Sequence, residues 1–410
     1  MPECQYCGTE LEKSDIMCPE CSRLIPDGES ESSGAYERKV RNTSTQKTES
    51  HFKRNLFLVG LVLFLLLPQT APNRQRITEY PDEPSKFMED ISSLWDNLNP
   101  KYYKVDASAN FKIRRVMTVT SSDGDIDFSI RVGIPKNVTA KDGTRIQMMR
   151  EWSWESSSDT VVRNKSDPWI FFNGSAKSGE TVTVNITYDV ATKTYEWDDI
   201  TSGNSGTVAQ IPDNLKEQYN HDETTGGGSS SRPLIKLDNV RSTAQEATSG
   251  SDNVYDKVRA IYDYIVENVA YQVGTKPKTC KETLTGEVGD CDDMVLLFSA
   301  MCRSIDIPAF PGYGFISNQQ YTGWGGHSWA SVVIPDKNGD VFMPHVDLAN
   351  KKFLWYDTYR FIEWDSDGNE VHLSDYYQTF HSHGTGSGDF SQEFVHIVHH
   401  TDGEKLIKAE

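Results

Sequence analysis

Positive charge is scarce in this chain. Its 410 residues carry 41 Lys+Arg against 60 Asp+Glu, a formal net charge of −19 at pH 7. Phosphate binding needs a basic patch, so the balance argues against nucleic acid as a partner. The deficit is uneven, because the first 54 residues hold 8 Lys+Arg and 10 Asp+Glu and leave −17 for the remainder. That acidic remainder suits a salty medium or cationic substrates. Cysteine is sparse too, with 7 in all, of which Cys4, Cys7, Cys18 and Cys21 crowd the N-terminus. A long apolar run occurs at 55–67, NLFLVGLVLFLLL.

The four N-terminal cysteines form two Cys-x2-Cys pairs, with Gly8 after the first and Pro19 inside the second. This is the spacing of a zinc ribbon at 1–26, in which four thiolates close a tetrahedral, structural Zn2+ site. A piece of about 25 residues has no core to fold on, so the metal would supply its stability. Disulfides are the competing reading, but such pairs imply a reducing compartment. A cytoplasmic protein is the expected contact of the ribbon, with a bare folding unit as the alternative.

Residues 27–54 are rich in Ser, Thr and Glu without a hydrophobic period and read as a flexible linker. The apolar segment 55–72 is expected to be a single transmembrane helix, followed by a juxtamembrane segment at 73–107. A signal-peptide core or a buried helix are the alternatives; the first should begin nearer the N-terminus and the second should show a polar face. Arg38, Lys39, Arg41, Lys47, Lys53 and Arg54 precede the span, and only Arg74 and Arg76 follow it closely. This puts the N-terminus in the cytoplasm and the rest outside the cell membrane. Sequons at Asn137, Asn164, Asn173 and Asn185 all follow the span and agree with that orientation.

Segments such as FKIRRVMTVT, IDFSIRVGIP and ETVTVNITYDV alternate apolar and polar residues, which predicts an antiparallel β-sandwich over 108–200. Residues 201–234 contain NHDETTGGGSSS and few apolar anchors, and read as a linker or long loop. From about Asn253 a helix is expected, since Val254, Val258, Ile261, Ile265 and Val269 recur at helical intervals.

The chemistry concentrates further on. Gly289-Asp290-Cys291-Asp292-Asp293 runs into an apolar stretch, so Cys291 should sit on the first turn of a buried helix. Unpaired N–H groups and partial positive charge there favour thiolate over thiol. Then come Gly326-His327-Ser328-Trp329 and Pro344-His345-Val346-Asp347. The segments SWASVVI and VFMPHVD read as strands folded back at Asn338-Gly339, which brings His327 opposite Asp347 to within a residue or two of register. Cys291 as nucleophile, His327 as base and Asp347 as its orienting acid follow, with Asp357 as the rival acid. Asp290, Asp292 and Asp293 would raise the thiol's pKa unless they face water, an effect that a protonated His327 would offset. The backbone N–H of Cys291 is the expected oxyanion donor. Cys302 falls in the core pattern, Cys280 lies in a polar loop with no evident base, and His345 reads as solvent-exposed or as a support to Asp347. Tyr313, Tyr321 and Trp324 either wall a cleft or pack under a Gly-rich loop. His381, His383, His396, His399 and His400 in the C-terminal extension, 366–410, read as surface residues rather than metal ligands.

GDCDDMVLLFSAMCRSIDIPAFPGYGF, HSWASVVI and PHVD, with NVYDKVRAIYDYIVENVAYQ upstream, resemble the core of the transglutaminase-like superfamily over about 235–365. The resemblance implies an α+β papain-like domain, with the helix-borne Cys291 against an antiparallel sheet carrying His327 and Asp347. Such proteins often place a β-domain ahead of the catalytic one. Asp292 stands where animal transglutaminases have Trp, which moves the resemblance toward the microbial protease-like or amidase-like branch. The expected function is a membrane-anchored thiol hydrolase acting on peptide or amide bonds outside the cell through a thioester, with no cofactor for catalysis. An acyl transferase that crosslinks proteins, or a surface binding protein without turnover, are the alternatives.

Overall fold

The computed structural model describes residues 102–408 except 159–161, 167–168, 226–231, 275, 319 and 378. The expected zinc ribbon with Cys4, Cys7, Cys18 and Cys21, the linker and the span at 55–72 lie outside the described residues. Among the described residues no helix is long and apolar enough to cross a membrane. Residues 105–405 belong to one compact unit, and a second unit contributes 102–104 and 406–408.

Within the first unit, alternation in sequence becomes alternation in burial. Every second residue of strand Ser108–Ser122 is buried, including Phe111, Ile113, Met117 and Val119. That is the side-chain period of a strand with one face on a core. The strand lies in a five-stranded antiparallel sheet between Ser387–Asp402 and Thr181–Lys193, followed by Arg145–Ser156 and Val138–Thr139. A four-stranded sheet, in the order Phe380–Gly384, Ile126–Gly133, Trp169–Ala176 and Val162–Ser166, supplies Phe128, Ile130, Val132 and Phe172 to the same core.

Three expectations about boundaries are corrected here. The sandwich does not close within 108–200: the C-terminal extension supplies an edge strand to each sheet, Phe380–Gly384 and Ser387–Asp402. Nor is 201–225 a bare linker. It holds helix Asp213–Tyr219 and strand Glu223–Thr225, which pairs with Arg232–Ile235. Its anchors are few but strong: buried Ile211, Tyr219 stacked on Phe310 at 4.5 Å, and Glu223, whose carboxylate meets the fully buried Arg303 guanidinium at 2.6 Å. The predicted strand VFMPHVD divides into Val341–Phe342 and His345–Asp347, with Pro344, which has no N–H to give a ladder, at the break.

The third layer is an α+β core. Its five-stranded antiparallel sheet runs Lys352–Phe353, His345–Asp347, Trp324–Val332, Ala309–Ser317, Arg360–Asp365. Helices Val254–Asn268 and Cys291–Arg303 cover it, and their buried Val258, Ile261, Ile265, Val295, Leu296 and Phe298 share one core with Ala330, Val332 and Val346. Gly314 lets strand Ala309–Ser317 and the edge strand Arg360–Asp365 approach, since a Cβ there would stand 1.9 Å from the Phe361 carbonyl oxygen. Sandwich and sheet are joined by apolar contact of Phe315 and Phe361 with the sandwich core. They also share the buried pair Arg115–Glu363 at 2.7 Å.

Candidate active site

Helix Cys291–Arg303 begins at the thiol. Asp290 caps it: its side chain accepts from Asp293 N at 3.3 Å, and Asp293 accepts in return from Asp290 N at 3.2 Å. This reciprocal box fixes the first turn and satisfies two otherwise unpaired amides. Gly289 is required beside it, because a Cβ would meet Asp293 Cβ at 2.8 Å.

The neighbouring carboxylates are all occupied rather than turned to water. Asp290 also accepts from Gly274 N at 3.1 Å, Asp293 from Lys278 N at 2.6 Å, and Asp292 from the Tyr377 hydroxyl at 3.0 Å. Tyr377 ends helix Glu370–Tyr377, so the C-terminal extension reaches the residue adjacent to the thiol.

Strand Trp324–Val332 carries His327, and the neighbouring strand carries Asp347. The register Ala330↔Val346 sets Asp347 two residues out of step with His327, so the two side chains share a face. His327 Nε2 donates to Asp347 Oδ2 at 2.8 Å, and both residues are buried. Cys291, half-buried, hydrogen-bonds to His327. The structure therefore brings Cys291, His327 and Asp347 together. Asp357 goes elsewhere: it is buried and accepts from Trp355 Nε1 at 2.7 Å.

Electrostatics follow from these contacts. Burial pushes the Cys291 thiol up, but the hydrogen bond and charge of His327 outweigh it, and the net is below the ordinary thiol range. Burial likewise opposes charge on His327, yet Asp347 and then Cys291 raise it to about 10. Burial would raise Asp347, but His327, followed by Arg360 and Asn350, holds it at about 2. The favoured resting state is a thiolate–imidazolium pair beside an ionised carboxylate.

Two partners escaped the sequence reading. Asn350 donates to Asp347 through its backbone N at 3.1 Å and through Nδ2 at 3.0 Å, and Nδ2 also lies 3.1 Å from His327 Nε2. Arg360, fully buried, donates to Asp347 Oδ2 at 3.3 Å while its guanidinium faces the rings of Trp329 and Tyr356 at 4.9 and 4.5 Å. Asn350 lies three residues past Asp347 in a turn, which was a readable signal; Arg360 comes from a distant strand and gave none.

Other candidates fall to packing. His345 is neither exposed nor in contact with the His327–Asp347 pair. It is buried between Trp197 and Trp329, at ring distances of 5.3 and 6.3 Å, and burial followed by the Arg360 charge keeps it neutral. Cys302 is buried in its helix and raised by desolvation. Cys280 opens helix Cys280–Gly286, buried, with Sγ accepting from Lys236 N at 3.3 Å. Tyr313 stacks on Tyr376 at 4.0 Å, and buried Tyr321 packs against Phe111, as does Trp324. In the C-terminal strand, His399 Nδ1 lies 3.3 Å from His396 Nε2.

With this geometry in place, comparison with known proteins adds a likeness. Residues 241–344 match the family described as the transglutaminase-like superfamily. The matched segment includes Cys291 and His327 and stops three residues short of Asp347. A stretch of 131 residues is 26% identical to "Uncharacterized protein YebA" of Bacillus subtilis (strain 168), covering 27% of this chain and 18% of that protein. The fold is similar to that of a solved "Putative Cysteine Protease" from Cytophaga hutchinsonii, with a TM-score of 0.51 and 17% identity over 75% of this chain and 100% of that one.

Proposed function

We propose that this protein is a thiol hydrolase of peptide or amide bonds, with Cys291 as nucleophile, His327 as acid and base, and Asp347 as the group that orients His327. The observation that carries the reading is the joining of a helix-N-terminal thiol to a buried imidazole held by a carboxylate at 2.8 Å. The Cys291 thiolate attacks the amide carbonyl, and its own N–H receives part of the charge that develops on oxygen. His327 gives its proton to the leaving amine as the C–N bond breaks, which leaves a thioester. It then takes a proton from water, the resulting hydroxide displaces the thiolate, and the acid is released. No metal or cofactor enters these steps.

An acyl transferase differs only in the second half, where an amine replaces water. Mass spectrometry of a peptide digest run with a labelled primary amine separates the two: unlabelled cleavage products are expected, and labelled conjugate as the main product overturns hydrolysis. Loss of all products in Cys291→Ala is expected in either case; retained turnover would overturn Cys291 as the nucleophile, whereas an unreactive Cys291 and no products from the native chain would leave a binding protein as the better reading.

The anchoring is part of the same proposal. The span at 55–72 holds the enzyme at the cell membrane with the acidic domain outside, and the Cys4, Cys7, Cys18 and Cys21 thiolates hold a structural Zn2+ in the cytoplasm, where a protein partner would meet them. Four thiolates suit Zn2+, and the ribbon takes no part in the reaction. Protease protection in sealed vesicles tests the orientation: exposure of the 108–408 region on the cytoplasmic side would overturn it.

A further inference from the structure

A cavity of about 240 Å3 lies where the sandwich meets the helix that carries the thiol. Arg131 and Trp169 reach it from the four-stranded sheet, Arg115 from the five-stranded one, and Tyr377 from the C-terminal extension. Its wall also includes Asp290 and Asp292, the residues on either side of Cys291. A carboxylate oxygen of each and Cys291 Sγ all lie within 4.8 Å of one another, so this wall stands beside the thiol. The space has room for one side chain of a peptide, and junctions between layers are where ligand sites concentrate.

Most charges around the cavity are already committed. Arg115 is paired with Glu363 at 2.7 Å, Arg131 with Asp375 at 2.5 Å and Arg232 with Glu282 at 2.7 Å. Asp290 and Asp292 sit at the N-terminus of their helix, which compensates negative charge, and accept from Gly274 N and from the Tyr377 hydroxyl. Lys276, which also lines the cavity, is exposed and meets no carboxylate among the described residues. The spare hydrogen-bonding capacity has the same sense. Trp169 is 4% exposed, yet its Nε1 finds no acceptor among the described residues, and Thr379 Oγ1, buried on the same cavity, has no partner there either. An indole N–H and an ammonium can only donate, and a hydroxyl can donate as well.

We propose that this cavity is a specificity pocket for a carboxylate that the substrate carries within one residue of the scissile amide, held by Lys276, the Trp169 indole N–H and the Thr379 hydroxyl. Successive Cα atoms are about 3.8 Å apart, so a wall this close to the sulfur is met by the residue adjoining the reacting bond. A carboxylate only accepts, and it matches the unpaired ammonium in charge. The preferred substrate is then a peptide with an acidic residue, or its own C-terminus, at the cleaved bond. That departs from the cationic substrate suggested by the acidic composition, because the pocket and not the net charge meets the reacting group. The sandwich becomes part of the substrate site rather than a spacer. This rests on the reading of Cys291 as nucleophile.

The test measures alkylation of Cys291 in the full chain by the N-iodoacetyl derivatives of glutamic acid α-amide, glutamine amide and lysine amide. The iodoacetyl carbon meets the sulfur in all three, so the ratio of rates reads the side chain alone. The glutamate reagent is expected to react about 3- to 10-fold faster than its glutamine isostere, and the lysine reagent slower than both. N-iodoacetyl-alanine as free acid against its amide separates the two sources: a preference for the acid there, with none for glutamate, gives the seat to a peptide C-terminus. Lys276→Glu should bring the preferred ratio to one or below. Trp169→Phe and Thr379→Val alter no charge and should each lower it about 2- to 3-fold, which separates a seat in the cavity from a general field. Ratios near one for both acids, a faster lysine reagent, or a ratio that both neutral substitutions leave in place overturns the pocket and leaves the nucleophile standing. Failure of every reagent to label Cys291 overturns both.

Discussion

Asp347 is shared: the carboxylate oxygen that accepts from His327 at 2.8 Å also accepts from Arg360 at 3.3 Å. Two buried cations on one buried anion leave a net positive charge, and a Cys291 thiolate completes a neutral set of four groups. This arrangement accounts for a carboxylate that stays ionised while buried, and for a thiol that is lowered although burial and Asp290 oppose it.

Replacing Arg360 should therefore cost more than its distance from the thiol implies. Arg360→Met leaves Asp347 with less compensation and empties the space between Trp329 and Tyr356. Breaking a buried pair costs about 3–5 kcal/mol. Urea unfolding of the variant should show a midpoint lowered accordingly, and an unchanged midpoint would show that the pair is not buried as described.

The two acids considered from sequence separate cleanly. Asp347→Asn removes the charge that holds His327 protonated, so Cys291 alkylation at pH 6 should fall at least about 10-fold. Asp357→Asn keeps an acceptor for Trp355 Nε1 and should leave that rate within about 2-fold, since Asp357 touches neither Cys291 nor His327. The opposite ranking would assign the orienting role to Asp357.

The raised pKa of His327 has a consequence for stability, with a definite sign. Because its folded value, about 10, lies above the ordinary one of about 6.5, it stabilises the fold in full below pH about 6.5, and that contribution fades as pH rises toward 10. Asp347 acts in the opposite sense, contributing above about pH 4 and losing its effect as pH falls toward 2. The difference in melting temperature between the native chain and His327→Gln should be largest near pH 6 and shrink toward pH 10. A gap that widens with alkalinity would contradict the charge assignment.

Glu223 tests whether 201–225 is part of the folded unit. Glu223→Ala leaves the Arg303 guanidinium buried without its carboxylate, and about 3–5 kcal/mol of destabilisation is expected. Hydrogen exchange should quicken in helix Asp213–Tyr219 and in strand Glu223–Thr225. Exchange that is already fast in the native chain would mean that the segment is not docked.

Much of this was legible in the sequence because it is local. The helix from Val254 follows a 3.6-residue period, the start of the Cys291 helix follows from an Asp cap before an apolar run, and Asn338-Gly339 marks a turn. What was hidden is long-range. Tyr377 and the strand Ser387–Asp402 act on partners far away in the chain, Arg360 reaches Asp347 from a strand three places along the sheet, and no periodicity announces a contact between Tyr377 and Asp292 or between Glu223 and Arg303. His345 misled for a related reason, since its neighbours Trp197 and Trp329 arrive from separate elements to bury it.

The central claim is that Cys291 is a thiolate by virtue of His327, and the pH dependence of Cys291 alkylation, beside a His327→Ala control, tests it most directly. An unperturbed thiol titrates near about 8.5, and a His-paired one falls to about 3.5–7.5. Reactivity that persists below pH 7 and disappears with His327→Ala is the predicted result. A midpoint near 8.5 that His327→Ala leaves in place would contradict it.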